Sequence, residues 1–363
     1  MKSSRRDIVG YGLLWLVVVV VVVWAFRSVA EHRRKQPITS FEIVVEHSGG
    51  KDLIDAALIE AWLKQNNIHP MGRKMAEVDL GKLEATIAEH SAVSSVNAYM
   101  TYDGELHVSV AQRRAVARLR VDGYDMYVAA DGYLLPISDG YLLQLPVITG
   151  DYKPLFGAEY VGYHGNSSEK LLDDIKRREH DIEERRIELL EKRDQLNAEL
   201  RRVEKESVKR EIFMSDNEYR GRVERLKERK SEARRQHAER DREIEASLRE
   251  LDNERLKASL EADKVRSAVE DFNRLIAFVM YICDNDFWCA EVTQVVLSGG
   301  GESPMQIAIV PRSGDFLVDL GFTDNLVGKL TKLRKFYDST LQNVGWDRYK
   351  HISLRYNNQV VCK

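Results

Sequence analysis

The sequence predicts an α+β protein with three parts: a single N-terminal transmembrane helix, a small strand-helix-helix-strand-strand module, and a β-domain interrupted by a long, charged, coiled-coil-like helical hairpin. Three observations carry this. Ile8 to Phe26 is 19 residues without a charge. The segments either side of the middle alternate apolar and polar residues at period two, or repeat apolar residues at spacings of three and four. Residues 166–267 contain no proline and one glycine, Gly221, so nothing in them breaks a helix. A chain of 363 residues is long enough for two or three domains of roughly 100 to 200 residues.

At about 1.5 Å per residue, the Ile8 to Phe26 run crosses a hydrocarbon core of roughly 30 Å. Trp15 lies within it, and Trp24 and Phe26 lie toward its far end, where amphipathic rings settle at headgroup depth. Arg27, Arg33, Arg34 and Lys35 follow rather than a small-residue cleavage site, which favours a retained span over a cleaved signal peptide. Lys2, Arg5 and Arg6 precede the run, so counting charges does not orient it. Residues 1–7 then form a tail, 8–26 the span and 27–37 a linker.

Residues 38–113 read as one module. Phe41, Ile43 and Val45 alternate as in a half-buried strand. Leu53, Ile59, Trp62 and Leu63 follow at helical spacing after Asp52, an expected cap, and Asp79 opens a second helix through Leu80, Leu83 and Ile87. Val93 to Thr101 and Leu106 to Val110 flank Asp103-Gly104, a strong hairpin signal. Residues 114–165 form the first part of the β-domain, a meander with Asp-Gly turns at Asp122, Asp131 and Asp139. Residues 268–363 form its second part: a helix through Phe272 to Val279, strands at Glu291 to Leu297, Gln306 to Val310 and Phe316 to Leu320, a helix from Asn325 to Asn343, and final strands from Ile352 to Cys362.

Between these parts, residues 166–267 are a charged helical insertion. Glu169 to Ser267 carries 28 basic and 28 acidic residues, about half the charge of a chain whose net charge is −3. Ile175, Ile182, Leu189, Leu196 and Val203 recur every seven residues. Val223, Ile244, Leu251, Ala258 and Val265 recur in a second register interrupted by Lys230 and His237. The registers are out of phase, which predicts an antiparallel hairpin turning near Met214 to Asn217, with Ser215 or Asp216 as cap. Interleaved signs leave no net positive face for nucleic acid.

The order strand, helix, helix, strand, strand resembles a POTRA domain. Gln112-Arg113-Arg114-Ala115-Val116-Ala117-Arg118-Leu119, Tyr127 to Pro136 and Leu145-Pro146-Val147-Ile148-Thr149-Gly150 are similar to consecutive signatures of the FtsQ/DivIB cell-division family, especially its Bacteroidetes-type members. The Lys329 to Tyr337 helix and Ile352-Ser353-Leu354-Arg355-Tyr356, ending in Asn358-Gln359-Val360-Val361-Cys362, resemble its C-terminal half. The resemblance implies a bitopic inner-membrane scaffold at the division septum, with a cytoplasmic N-terminus and a periplasmic bulk. It implies FtsB-like and FtsL-like partners bound at the terminal β-edge, with Arg355, Tyr356, Asn358 and Val360 as contacts. Arg355 is expected to meet a partner's acidic group, and Tyr356 to bury its ring there while the hydroxyl keeps a hydrogen bond. A further partner for the charged insertion is expected among envelope or division proteins. The alternative is a membrane-fusion adaptor of an envelope transport system, which also joins one span to β-domains and an inserted helical hairpin.

No enzymatic reading emerges. Phosphate-loop, zincin and hydrolase-elbow motifs are absent from the sequence. His47, His69, His90 and His107 have no metal-ligand spacing, so neither metal nor cofactor is expected. Gly299-Gly300-Gly301 reads as a hairpin loop rather than a phosphate cradle. Cys283, Cys289 and Cys362 read as separate thiols, the first two buried, with a Cys283 to Cys289 bridge open in an oxidising compartment.

Overall fold

A computed structural model describes residues 15–24, 27, 36–46, 53–121, 123–137, 143–300, 303–356 and 359–363. His47, Asp52, Asp122, Asp139-Gly140 and Asn358 lie outside the described residues. Residues 15–24 are helical (α1), with apolar side chains exposed from Trp15 to Trp24. Residues 8–14 and 25–26 of the apolar run are outside the described set, and among the described residues no helix is long and apolar enough to cross a membrane.

The first folded unit runs β1 (Ser40–Glu46), α2 (Ala56–Gln65), α3 (Leu80–Ala88), β2 (Val93–Met100) and β3 (Glu105–Gln112). Its sheet order is β1-β3-β2, with β1 parallel and β2 antiparallel to β3. Leu63, Leu83, Ile87, Leu106 and Val110 pack its core. The cap of α2 is Asp55, which accepts the Leu58 amide at 2.7 Å, not the expected Asp52; Leu53 and Ile54 precede the helix instead of opening it. Asp79 caps α3 through the Lys82 amide.

Arg113 ties this unit to the next. Its side chain is only 8% exposed, its Nε donates to the Ser91 carbonyl at 3.1 Å, and its guanidinium lies 3.7 Å over the Tyr133 ring. An ion pair to Asp131 completes the desolvated charge.

The larger sheet has ten strands in the order β13-β12-β11-β10-β9-β7-β4-β5-β6-β8. β4 (Ala115–Val121), β5 (Tyr124–Ala129) and β6 (Tyr133–Pro136) form the expected meander. β7 (Val147–Tyr152) leaves it: it pairs parallel with β4 on one side and parallel with β9 (Val292–Gly300) on the other. β8 (Gly162–Tyr163) closes the edge beside β6. β9 and β10 (Ser303–Pro311) form a hairpin at the glycine run, with β11 (Leu317–Phe322) antiparallel to β10. The expected Asn325 to Asn343 helix is instead α7 (Leu326–Phe336), a π-turn at Tyr337–Leu341, and the short α8 (Gln342–Val344). The final strands are short, β12 (His351–Ser353) and β13 (Val361–Cys362).

Adjacent parallel strands need a crossover connection. Between β7 and β9 that connection is the charged insertion: α4 (His164–Lys205, 42 residues) runs out, and α5 (Asp216–Asp284, 69 residues) returns. The connector is residues 206–215, earlier in the chain than the expected turn, and Ser215 caps α5 through the Glu218 amide. Ion pairs step in opposite directions along the two helices: Arg178–Glu261 at 3.0 Å, Arg185–Glu254 at 2.9 Å, Arg193–Asp241 at 2.7 Å and Arg234–Glu204 at 2.6 Å. The two breaks in the apolar repeat are filled across the pair. His237 Nε2 meets Asn197 Oδ1 at 2.8 Å, and Lys230 Nζ donates to the Glu204 carbonyl at 2.6 Å.

The helix expected separately through Phe272 to Val279 is the last part of α5. Asp216 to Asp284 contains no proline and one glycine, so the helix runs through the change from charged to apolar sequence without a break. Phe272, Leu275, Phe278, Val279 and Ile282 are buried on the sheet, where α5 touches β4 and β10 on either side of the β7–β9 pair. A smaller cluster of Ile175, Ala258, Ala262 and Val265 holds the root of the arm. His164, at the start of α4, meets Asn273 at 2.9 Å. A short final helix, α6 (Asp286–Glu291), leads into β9; it leaves Cys289 exposed, which corrects the expectation of burial.

Two outcomes are expected from this architecture. Gly150 has φ +117°, and a Cβ there would lie inside the backbone of Leu297. Gly150→Ala should therefore destabilise the fold by roughly 2–4 kcal/mol, read as a lower urea midpoint, by prying β7 from β9. The second outcome is acid sensitivity. Burial holds the His164 imidazole below its usual value, partly offset by the Asn273 bond. The unfolded chain then binds the extra proton, and stability falls as pH drops through about 6.5. Arg234 and Arg178 hold Glu204 and Glu261 below the ordinary 4.5. Their contribution is present above that value and lost as pH falls below it. Protection factors, taken relative to the intrinsic exchange rate at each pH, should fall first near residue 164 between pH 8 and 5.5, then along the arm between pH 5 and 3.

Candidate partner-binding edge

β13 closes one end of the ten-stranded sheet. It is held to β12 by the pair His351 and Lys363, which exchange both backbone bonds: His351 N to Lys363 O at 3.1 Å, and Lys363 N to His351 O at 2.9 Å. Antiparallel pairing alternates bonded and non-bonded positions, and Ile352 faces Cys362 in register. The amide and carbonyl of Cys362 therefore turn away from β12, toward the outside of the sheet. Alternation gives Val360 the same backbone orientation, while its side chain packs against the core together with that of Cys362.

The turn leading into β13 is built from two directions. Ile352 and Leu354 are buried, and the Leu354 amide donates to Asp319 O at 2.8 Å, which extends β12 alongside β11. Arg355 then lies across the neighbouring strands. Its Nε meets Asp319 Oδ2 at 2.8 Å and its Nη2 donates to Gln306. Its stem passes over Gly321, where a Cβ would approach Arg355 Cγ to 2.8 Å. Asp319 also accepts the Ser353 hydroxyl at 3.3 Å and the Gly321 amide at 2.9 Å, so one carboxylate organises this corner.

From below, Lys332 on α7 reaches the turn. Its Nζ donates to the Tyr356 carbonyl at 2.6 Å and the Gln359 carbonyl at 2.9 Å. Burial, with Lys329 nearby, pushes the Lys332 ammonium below its usual value. Lys329 itself is buried, donating to Phe322 O at 2.9 Å and paired with Asp324 at 3.2 Å. Tyr356 stands at the top of this turn, 54% exposed.

The residues singled out from the sequence thus divide. Arg355 and Tyr356 are neighbours at the corner, but Arg355 already meets an acid of its own chain, Asp319, where a partner's acid was expected. Val360 contributes backbone to the edge and side chain to the core. Asn358 is outside the described residues. Lys332 and Asp319, the groups that shape the corner, were not expected as site residues: Lys332 stood out only as part of the Lys329 to Tyr337 helix, and an aspartate 36 positions upstream of Arg355 carries no local signal.

Two family models match the chain: POTRA-like domain at residues 37–111, and FtsQ/DivIB, C-terminal related, at residues 256–363. Together the two matches support an FtsQ/DivIB-family protein with a POTRA domain. A search of curated proteins finds no match. The FtsQ/DivIB, C-terminal related match begins at Leu256, within α5, and takes in the foot of the arm as well as the candidate edge. Among the described residues, no group of three or more His, Cys, Asp or Glu side chains could hold a metal ion.

The Lys332 clamp is testable directly. Lys332→Met removes two charge-assisted bonds from a partly solvated site and should raise local opening of residues 356–363 by about 1 kcal/mol, roughly fivefold in hydrogen exchange, while β9 and β10 stay protected.

Proposed function

We propose that this chain is a non-enzymatic, bitopic scaffold of the bacterial division machinery that holds other septal proteins at the outer edge of β13. One observation supports the reading most: the sheet ends in a strand whose Cys362 amide and carbonyl turn outward, next to an exposed Tyr356 ring, in the part of the chain that carries the FtsQ/DivIB match. Such an edge accepts an extended segment of another chain by strand addition. Backbone bonds then supply affinity and side chains beside them supply selection. The partners are FtsB-like and FtsL-like proteins. Tyr356 supplies an apolar ring for the incoming strand, and the side chain of Arg355, held flat by Asp319, forms the floor of the contact. The Val360 backbone extends it along the edge, and Asn358 is a further contact in this reading.

The Ile8 to Phe26 run anchors the protein in the inner membrane, with residues 1–7 in the cytoplasm and the folded units in the periplasm. The POTRA-like unit and the C-terminal match favour division over envelope transport, although the arm resembles those of transport adaptors.

The edge reading is tested by capture of FtsB-like and FtsL-like proteins with the full chain. Cys362→Pro removes an outward N–H and leaves the bonds to β12 in place, so it should weaken capture by about fivefold, the worth of roughly 1 kcal/mol. Tyr356→Ala should weaken it at least tenfold with an unchanged unfolding midpoint. Unaltered capture by both variants would remove the edge from consideration. Midcell location of an N-terminally tagged copy, with filamentation on depletion, tests the cellular role; an even envelope signal with lost export points to the transport adaptor.

A further inference from the structure

The connector between α4 and α5 ends the arm in an uncovered apolar pair. Ile212 is 95% and Phe213 99% exposed. They sit beyond helices that reach about 63 Å along α4 at 1.5 Å per residue. At the other end of the same arm, a cavity of about 270 Å³ opens between α5 and β10. It is lined by Leu260, Ala268, Pro304 and Met305 and rimmed by Asp263 and Lys264. A cavity of roughly 150 Å³ already accepts a benzene ring. Leu256 and Leu260, one turn apart on α5, lead toward it and are 59% and 54% exposed.

We propose that a second copy of this chain covers both features. Two arms lie antiparallel about a two-fold axis, each Phe213 ring seated in the other copy's cavity and each Ile212 over Leu256 and Leu260. Self-complementarity argues for this occupant. The knob and the hole lie at opposite ends of one stiff arm, so the separation that one chain imposes is the separation its copy offers, and both contacts close together. Once the first contact has formed, the second is intramolecular, which multiplies the strength of two small contacts. Charge points the same way. Lys205 to Arg220 carries four basic and four acidic side chains, which leaves no net pull toward an anionic lipid surface. Lys209 beside the apolar pair can face Asp263, which in its own chain meets Arg266 at 2.8 Å, and Glu211, paired with Arg222 at 3.3 Å, can exchange that partner for Lys264.

The test uses the full-length chain in its native membrane. A benzophenone amino acid replaces Phe213 in one tagged copy, produced together with a wild-type copy carrying a second tag. Irradiation should yield a species of twice the chain mass bearing both tags, with the crosslink mapped to residues 260–268 or 304–305. Leu260→Asp in the second copy should reduce it at least tenfold with helix content unchanged by circular dichroism. In parallel, sedimentation in detergent should give a dimer for the wild type and a monomer when Ile212→Ser and Phe213→Ser are combined; both positions are exposed and burden no core. Adducts to lipid alone, to a different protein alone, or to another part of the second copy would overturn the proposal, as would a yield indifferent to Leu260→Asp.

Discussion

The parallel pairing of β7 with β9 is the contact on which the larger sheet depends. Six residue pairs, from Val147 with Gln294 to Tyr152 with Gly299, join strands that are separated by the whole arm in sequence. Without them the sheet would be two unconnected pieces, β4 to β8 and β9 to β13, each with a new raw edge. Gly150 lets the backbones approach at this seam, and the foot of α5 lies across it, burying Phe272, Leu275 and Val279 over both sides. The seam and the helix above it therefore need each other. The strands supply the floor that α5 covers, and α5 supplies the apolar surface that keeps the two pieces together.

That arrangement also accounts for how a chain can carry an insertion of such length. A crossover helix between parallel strands is an ordinary requirement of the fold. Here the crossover helix is extended outward past the sheet, and a second helix of similar charge pattern runs out beside it. Cross-pairs such as Arg193 with Asp241, and the polar layer of Asn197 with His237, set the alignment of the two where apolar side chains are sparse. Near the sheet the contact becomes apolar, at Ile175, Ala258 and Val265. Exposed ion pairs stabilise weakly, so the root of the arm carries most of its attachment.

Local patterns in the sequence were good guides wherever the physics is local. Alternation at Phe41, Ile43 and Val45, the Asp-Gly turn at Gly104 with its φ of +86°, and the cap at Asp79 all read directly into structure. The two out-of-phase apolar registers foretold the folding back of the charged block. What local pattern could not supply was partnership across long sequence distance. Nothing near Val147 announces that it leaves the meander to join a strand beginning at Val292. The boundary placed at residue 267 marked a change of surroundings, from solvent to sheet, and the backbone of α5 does not register it. At the candidate edge, Arg355 and Tyr356 stood out by resemblance, whereas the Asp319 carboxylate and the Lys332 ammonium became visible only once the strands and α7 had brought them there.

An unbroken α5 has a mechanical meaning. The same helix that ends at the Ser215 cap lies, some 55 residues later, on the seam of the sheet, with no joint between the two places. It is a lever with its fulcrum at Ala258 to Val265. A rotation of about 5° at that fulcrum carries the far end through about 6 Å at an arm length of roughly 65 Å. By the same geometry, a push of about 3 Å at the tip arrives at Phe272 and Leu275, roughly 15–20 Å beyond the fulcrum, as a displacement of about 0.7–0.9 Å. Small rotations at the packed root thus become large excursions at the tip, and a displacement of the tip reaches the core reduced about three- to fourfold, with the force on it raised in the same ratio.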